Sequence, residues 1–284
     1  MKKILLTGAT GFVGSQLLNN FSENYKIYVI IRKKKFNKKF LNKNIKLIYY
    51  KKFKQLNNKL KKLKIDYIIH CATHYVKNHQ FEDLEKLSKS NILFGNIILE
   101  NVKNMGVKKF INFSTVWENH NGKKENFYNL YSAYKKGFDN LINYYKKRIN
   151  RTQFYCLVIS DTFGELDGRG KIINTLKNNY KKNKVTSIVS KNLFLNLLNI
   201  KDIVKAVRLI LKKKIAPNKY ILKNKKEYSI SKIIQRINYK NSKKIKVKWL
   251  SNKTLKEKIY SYKSLNGWKP SESRIEDIID LIIK

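Results

Sequence analysis

Apolar positions along the chain follow two rhythms. Short continuous runs, at Ile4–Leu6, Lys26–Ile31, Asn44–Tyr50, Asp66–Thr73, Val107–Phe113 and Cys156–Ile159, predict buried strands. Between them the spacing changes to that of helices. Phe12, Val13, Leu17 and Leu18 mark the first helix, and a lysine-rich helix follows near Leu56 to Leu63. A long one runs from Glu82 to Asn104, with Leu84, Leu87, Ile92, Leu93, Ile97, Ile98, Leu99 and Val102 on its apolar side. Gly106 stops it in the manner of a C′ glycine, with Lys103 in the last turn suiting the helix dipole. Another begins near Tyr131 and keeps Tyr134, Phe138, Leu141, Ile142 and Tyr145 together. Strands alternating with amphipathic helices predict an α/β fold, a doubly wound parallel sheet covered on both faces. No internal repeat or Pro/Ser-rich linker divides the chain. The expected organisation is a larger unit over 1–158, which also receives 192–223, and a smaller C-terminal α/β lobe over 159–284.

The first strand breaks at Gly8, and Gly8, Gly11 and Gly14 then form G-x-x-G-x-x-G before the first helix. Glycines at a strand–turn–helix junction let the backbone turn sharply, approach a pyrophosphate and pack the helix close to the strand. The helix N-terminus then offers free N–H groups to the anion. Three of the chain's 11 glycines fall here. This predicts a Rossmann-like dinucleotide-binding unit, with Gly8, Thr10, Gly11, Phe12, Val13 and Gly14 as cofactor contacts. Arg32 ends the second strand, followed by Lys33–Lys35, with no acidic residue near. An acid there favours NAD and a base accommodates a 2′-phosphate, so NADP(H) is favoured over NAD(H).

Charge changes this picture less than its size suggests. The 63 basic and 19 acidic residues give a net charge of +44, which by itself suggests a polyanionic partner. Only seven of the basic residues are arginine, the side chain nucleic-acid readers favour. The lysines are spread along the whole chain among abundant Asn, Ile and Tyr, the pattern of A/T-rich codons. A solvated basic surface is the expectation, and no specific nucleic-acid partner. Cys71 and Cys156 lie far apart inside apolar runs and read as core thiols in a reducing compartment. His70, His74 and His79 fit no metal spacing, so no metal site is expected. No apolar run approaches the ~18 residues of a membrane span, and glycines interrupt the N-terminal apolar stretch too early for a signal peptide. The expected location is the cytoplasm, without membrane insertion.

Tyr131-Ser132-Ala133-Tyr134-Lys135 carries candidate chemistry. Residues i and i+4 share a helix face, so an ammonium near the phenol favours the phenolate and draws its pKa toward neutral pH for proton transfer. With so many tyrosines and lysines, roughly three or four such pairs arise by chance. Tyr50/Lys54, Tyr180/Lys184, Tyr228/Lys232 and Tyr239/Lys243 are also present. Tyr131/Lys135 stands apart by position: it follows the fifth strand of a βα series, and that strand ends in hydroxyls at Ser114 and Thr115.

Thr7-Gly8-Ala9-Thr10-Gly11-Phe12-Val13-Gly14 resembles the opening motif of the extended short-chain dehydrogenase/reductase family, also called the NAD-dependent epimerase/dehydratase family. Val107–Thr115 resembles its strand ending in the catalytic Ser/Thr, which maps to Thr115 with Ser114 as the fallback. The family's tyrosine and lysine map to Tyr131 and Lys135. The resemblance implies that Thr115 binds the reacting oxygen and Tyr131 moves the proton. Lys135 holds the nicotinamide ribose and tunes the tyrosine. Ala72 and Thr73 correspond to the turn over the cofactor, and His74 is placed at the substrate cleft. The family's aspartate after the third strand, an adenine contact, is replaced by Tyr50-Lys51-Lys52. Asp161–Gly164 resembles the sixth-strand loop, and Lys171 opens the next helix where a basic residue meets a nucleotide-sugar pyrophosphate. Asn199–Val204 resembles a helix start capped by Asp202, and Leu265–Pro270 a late L-G-W-x-P signature.

Val116-Trp117 stands where 4,6-dehydratases carry Asp-Glu, which argues against water elimination. Trp117, Thr162 and Arg169 resemble the nucleotide-sugar 4-ketoreductases of the CDP-abequose synthase type. The implied reaction is reduction of a C4 ketone on a nucleoside-diphosphate 4-keto-6-deoxy-sugar for surface polysaccharide. Substrate contacts fall at His74, Trp117, Thr162, Arg169 and Lys171. A nucleotide-sugar epimerase is the alternative enzyme, and a degenerate RNA-binding member of the fold the alternative from another class. Homodimerisation through the helices at 84–102 and 131–149 is implied by the same resemblance.

Overall fold

The first apolar run forms strand β1 (Lys3–Thr7), and the glycine turn delivers the chain into helix α1 (Phe12–Phe21). Strands β2 (Lys26–Ile31) and β3 (Ile45–Tyr49) follow, then helix α2 (Phe53–Lys61) and strand β4 (Tyr67–His70). The computed structural model describes residues 1–32 and 42–284, so Lys33–Lys35 fall outside the described residues. Helices α3 (Asp83–Ser88), α4 (Phe94–Glu100) and α5 (Val102–Met105) lead to β5 (Lys109–Thr115), α6 (Leu130–Lys146) and β6 (Gln153–Ile159). The C-terminal part adds β7 (Asp161–Phe163), α7 (Ile172–Lys181), α8 (Ile200–Lys212), α9 (Ile230–Lys240) and α10 (Ile275–Ile283), with short strands between them.

Eight strands make the main sheet, in the order Lys263–Ser264, Lys219–Leu222, β6, β5, β4, β1, β2, β3, and every pairing is parallel. The order reverses between β1 and β4, the switch point at which open α/β sheets bind ligands beyond the carboxyl ends of their strands. Side chains alternate across the sheet as strand geometry requires. Ile4 and Leu6 face α1 and α8, with Leu17, Leu18, Val204 and Val207 in one core. Leu5 faces the other side, where Leu56, Leu60, Ile98, Phe138 and Ile142 pack. A third core joins α7, α9 and α10 through Leu176, Ile233, Ile237, Ile278 and Ile282. His70 is a core histidine: its Nδ1 lies 3.0 Å from Thr7 Oγ1, and its ring packs on Phe94, Phe110 and Phe138.

Two expectations change. The helix expected over 82–104 is present but not uniformly α: a π-turn (Lys89–Leu93) is inserted between α3 and α4, with helical backbone on both sides of it. Gly106 does end the run in the left-handed region (φ 72°). Asp202 is not the cap of α8. Asn199 caps it, accepting from Lys201 N, while Asp202 is fully buried and gathers a distant segment. Its carboxylate accepts from Ser271 N at 2.9 Å, Glu272 N at 3.1 Å and Ser273 Oγ at 2.6 Å, and Trp268 Nε1 donates to its carbonyl at 2.9 Å.

Candidate active site

At the switch point the glycine turn closes on itself. Gly11 N donates to Gly8 O at 2.9 Å, and Gly8 takes φ 69°. A Cβ at Gly14 would stand 2.1 Å from Gly8 O, and one at Gly8 would stand 2.6 Å from Ala72 N. These positions admit only glycine because backbone lies where a side chain would go. Gly11 is the N-cap of α1 and makes no side-chain capping bond, and no acid sits in the first turn. The first amides of α1 are thus available to an anion. Thr7 Oγ1 accepts from Ala72 N at 3.1 Å and so ties this turn to the end of β4.

A cavity of about 1380 Å³ opens over these strand ends. It is lined by Gly8, Thr10, Gly11, Phe12, Val13, Gly14, Arg32, Ala72 and Thr73, all expected cofactor contacts, and by Thr115, Tyr131 and Lys135. Trp117, Thr162, Arg169 and Lys171 line it as well. His74 does not. Asn91, from the π-turn, holds its backbone: Oδ1 accepts from His74 N at 2.6 Å and from Thr73 Oγ1 at 3.0 Å, while Nδ2 donates to His74 O at 2.9 Å. Tyr75, one residue on, reaches the cavity instead. Cys71 is also a correction, since it is half-buried on the cavity wall, whereas Cys156 is buried; both thiols are free.

A capping box between Asn129 and Ser132 starts α6 and places Tyr131 and Lys135 one turn apart. Thr115 Oγ1 accepts from Trp117 N at 3.3 Å, which leaves its hydroxyl proton uncommitted, whereas Ser114 Oγ donates to Glu118 at 3.2 Å. The neighbouring Thr73 favours the Tyr131 phenolate, yet burial outweighs it and pushes the phenol's pKa up to about 12. Lys135 does not offset that rise, contrary to the expected drift toward neutral pH: burial works against its own charge as well and lowers its pKa. At neutral pH the Tyr131 phenol therefore keeps its proton.

The far wall is aromatic and cationic. Lys171 Nζ sits 4.4 Å from the Trp117 ring centre and 5.2 Å from that of Tyr75, with Asp161 at 3.8 Å. Tyr75 meets Tyr131 edge-on at 5.1 Å, and Trp117 packs on Tyr128 at 5.2 Å. Arg169 is largely committed within the protein. Its Nε donates to Asp167 at 2.7 Å, its Nη2 donates to Thr162 Oγ1 at 2.9 Å, and its guanidinium lies over Phe12 at 4.2 Å. Arg169 thereby joins the glycine turn to the β7 loop. Tyr50, which stands where the resembled family carries an aspartate, lines the cavity, stacked on Phe53 at 6.0 Å and Phe94 at 5.9 Å. The roles of Tyr75 and Tyr128 carry no local sequence signal, because each depends on a loop folding over the strand ends. No group of His, Cys, Asp and Glu residues suited to a metal ion occurs among the described residues.

Comparison with known protein families matches residues 4–222 to the NAD dependent epimerase/dehydratase family. Among curated proteins, the chain is 26% identical over 206 residues to CDP-abequose synthase from Yersinia pseudotuberculosis, covering 72% of this chain and 71% of that one. It is 34% identical over 126 residues to dTDP-D-glucose 4,6-dehydratase from Dictyostelium discoideum, a match that spans 40% of this chain and only 29% of that protein. Its backbone resembles that of UDP-glucuronic acid 4-epimerase from Bacillus cereus, solved with UDP-glucuronic acid and NAD. That likeness has a TM-score of 0.77 at 20% identity and covers 99% of this chain and 98% of the other.

Proposed function

The chain belongs to the NAD dependent epimerase/dehydratase family, and from that premise we propose that it reduces the C4 ketone of a nucleoside-diphosphate 4-keto-6-deoxy-sugar. The observation that carries this reading is one cavity in which Thr115, Tyr131 and Lys135 stand beside the glycine turn. Trp117, Thr162 and Lys171 on its far wall are proposed to meet the sugar nucleotide, with Arg169 holding the loop that presents them. The uncapped N-terminus of α1 and the glycine cradle fit a dinucleotide pyrophosphate. A bound nicotinamide supplies hydride chemistry. Thr115 orients the carbonyl oxygen with its free hydroxyl proton, Tyr131 delivers a proton to that oxygen, and Lys135 binds the cofactor ribose. A phenol that stays protonated at neutral pH suits a reduction, where the tyrosine must give a proton.

Arg32, at the end of β2 on the cavity wall, supports NADP(H) over NAD(H). Dehydration is disfavoured because Val116 and Trp117 bring no acid to the cavity, and the nearby Glu118 is buried behind it, bonded to Ser114. We propose further that residues 1–158 with 192–223 hold the cofactor, that 159–284 hold the sugar, and that the protein works in the cytoplasm in surface-polysaccharide synthesis. Leu93 and Tyr144, 41% and 51% exposed on the helices expected to pair, support a homodimer.

Incubation with NADPH and a panel of 4-keto nucleotide sugars tests the reading, with cofactor consumed in step with ketone as the expected result. The likeness to an epimerase solved with NAD favours the alternative that the chain is a nucleotide-sugar epimerase. That alternative predicts NAD released on denaturation and no net turnover of added NADPH.

A further inference from the structure

Behind the cavity wall that carries Thr115 and Lys135 lies a buried ionic cluster drawn from separate parts of the chain. Glu118, 1% exposed, follows β5. Its Oε1 accepts from Tyr262 Oη at 2.8 Å and meets Lys219 Nζ at 2.7 Å, while its Oε2 accepts from Ser114 Oγ at 3.2 Å. Lys219 Nζ also donates to Asp139 Oδ2 at 2.8 Å. Asn119 Nδ2 completes the set by donating to Tyr262 Oη at 2.7 Å. Asp139 lies on α6 one turn beyond Lys135, so Tyr131, Lys135 and Asp139 recur on one helix face.

The cluster has one more carboxylate than ammonium. Lys135 is the other ammonium at hand: it is 5% exposed and makes no hydrogen bond or ion pair within the protein among the described residues. A buried ammonium without a counter-charge loses its proton. The groups facing Lys135 are Cys156 from β6, Cys71 and His70 at the end of β4, Glu118 after β5, and Asp139 and Tyr131 on α6 itself. Burial holds both thiols and the Tyr131 phenol protonated and pushes His70 down to about 3, so these are neutral at ordinary pH. Glu118 and Asp139 remain as the counter-charge.

We propose that Glu118, Asp139 and Lys219 are positioning residues for the reaction proposed above, holding a net negative charge behind the wall that keeps Lys135 an ammonium and binding the end of β5 to α6. The cluster acts through Lys135 and does not touch substrate. It also recruits Tyr262, so residues near the C-terminus contribute to the wall. This rests on the reading of Lys135 as the group that holds the cofactor ribose.

The test is the pH dependence of NADH and NADPH affinity, followed by cofactor fluorescence on the whole chain. In the wild type, affinity falls on the alkaline side as Lys135 deprotonates, below the range of a free lysine because burial works against its charge. Asp139→Asn and Glu118→Gln each move that alkaline limb down by about one pH unit. Lys219→Met moves it the opposite way, and Asp139→Glu leaves it in place. Structural damage alone does not produce shifts of opposite sign. Folded neutralising variants with an unmoved limb overturn the proposal. So does a wild-type limb already complete near about pH 7, a result that needs no variant to fold. Absence of cofactor binding in the wild type overturns the functional reading, and the cluster's role with it.

Discussion

His70 shows what burial does to a single side chain here. It sits 1% exposed beneath the glycine turn, and burial, with the nearby Lys135 charge, pushes its pKa from 6.5 to about 3. The unfolded chain therefore binds a proton in a range where the folded chain does not. The stability this contributes is complete above pH 6.5 and is lost progressively as pH falls toward 3. Melting temperatures measured down that range should fall steadily for the wild type. His70→Gln should melt lower at neutral pH and show a shallower acid slope; an unchanged slope would mean that other groups carry the acid sensitivity. At the same scale the two hydroxyls ending β5 separate by what they already bond. Ser114 is engaged by Glu118, whereas Thr115 keeps a proton to give.

Among the elements, the π-turn between α3 and α4 has the most local consequence. The wider turn sets Asn91, 3% exposed, against the strand-end loop, where it bonds Thr73 Oγ1, His74 N and His74 O. Such turns inside helices often mark functional positions. Asn91→Ala should free the loop and weaken NADPH binding several-fold, on the order of 1 kcal/mol for buried hydrogen bonds lost. A cofactor titration with wild-type affinity would deny the π-turn that role. The glycine turn was legible from sequence because its logic is local: strand, three glycines and helix lie within consecutive residues. Asn91 was not, because apolar spacing looks the same with or without a π-turn. Asp202 reads locally as a helix cap, yet its partners at Ser271, Glu272 and Ser273 lie some 70 residues on.

For the whole molecule, the order of the strands is what makes the chemistry readable. Tyr131 and Lys135 are one tyrosine–lysine pair among several, and they matter because β5 leads them to the cavity that β1 and β4 also end in. The Glu118–Lys219–Asp139 cluster stayed out of reach of sequence for the converse reason. Its members come from β5's end, α6 and the strand Lys219–Leu222, and nothing near any of them points to the others. The charge of +44 is a property of the surface as a whole. Oligonucleotide binding, measured by fluorescence anisotropy, should be visible at low salt, indifferent to sequence and gone near physiological salt. Sequence-selective binding that survives there would favour a nucleic-acid role. The central claim is that Tyr131 gives the proton in a ketone reduction, and it is tested most directly by Tyr131→Phe. Assayed with NADPH and an accepted 4-keto nucleotide sugar, that variant should bind NADPH as the wild type does and lose turnover by about 100-fold or more. Undiminished NADPH oxidation in Tyr131→Phe would contradict the account.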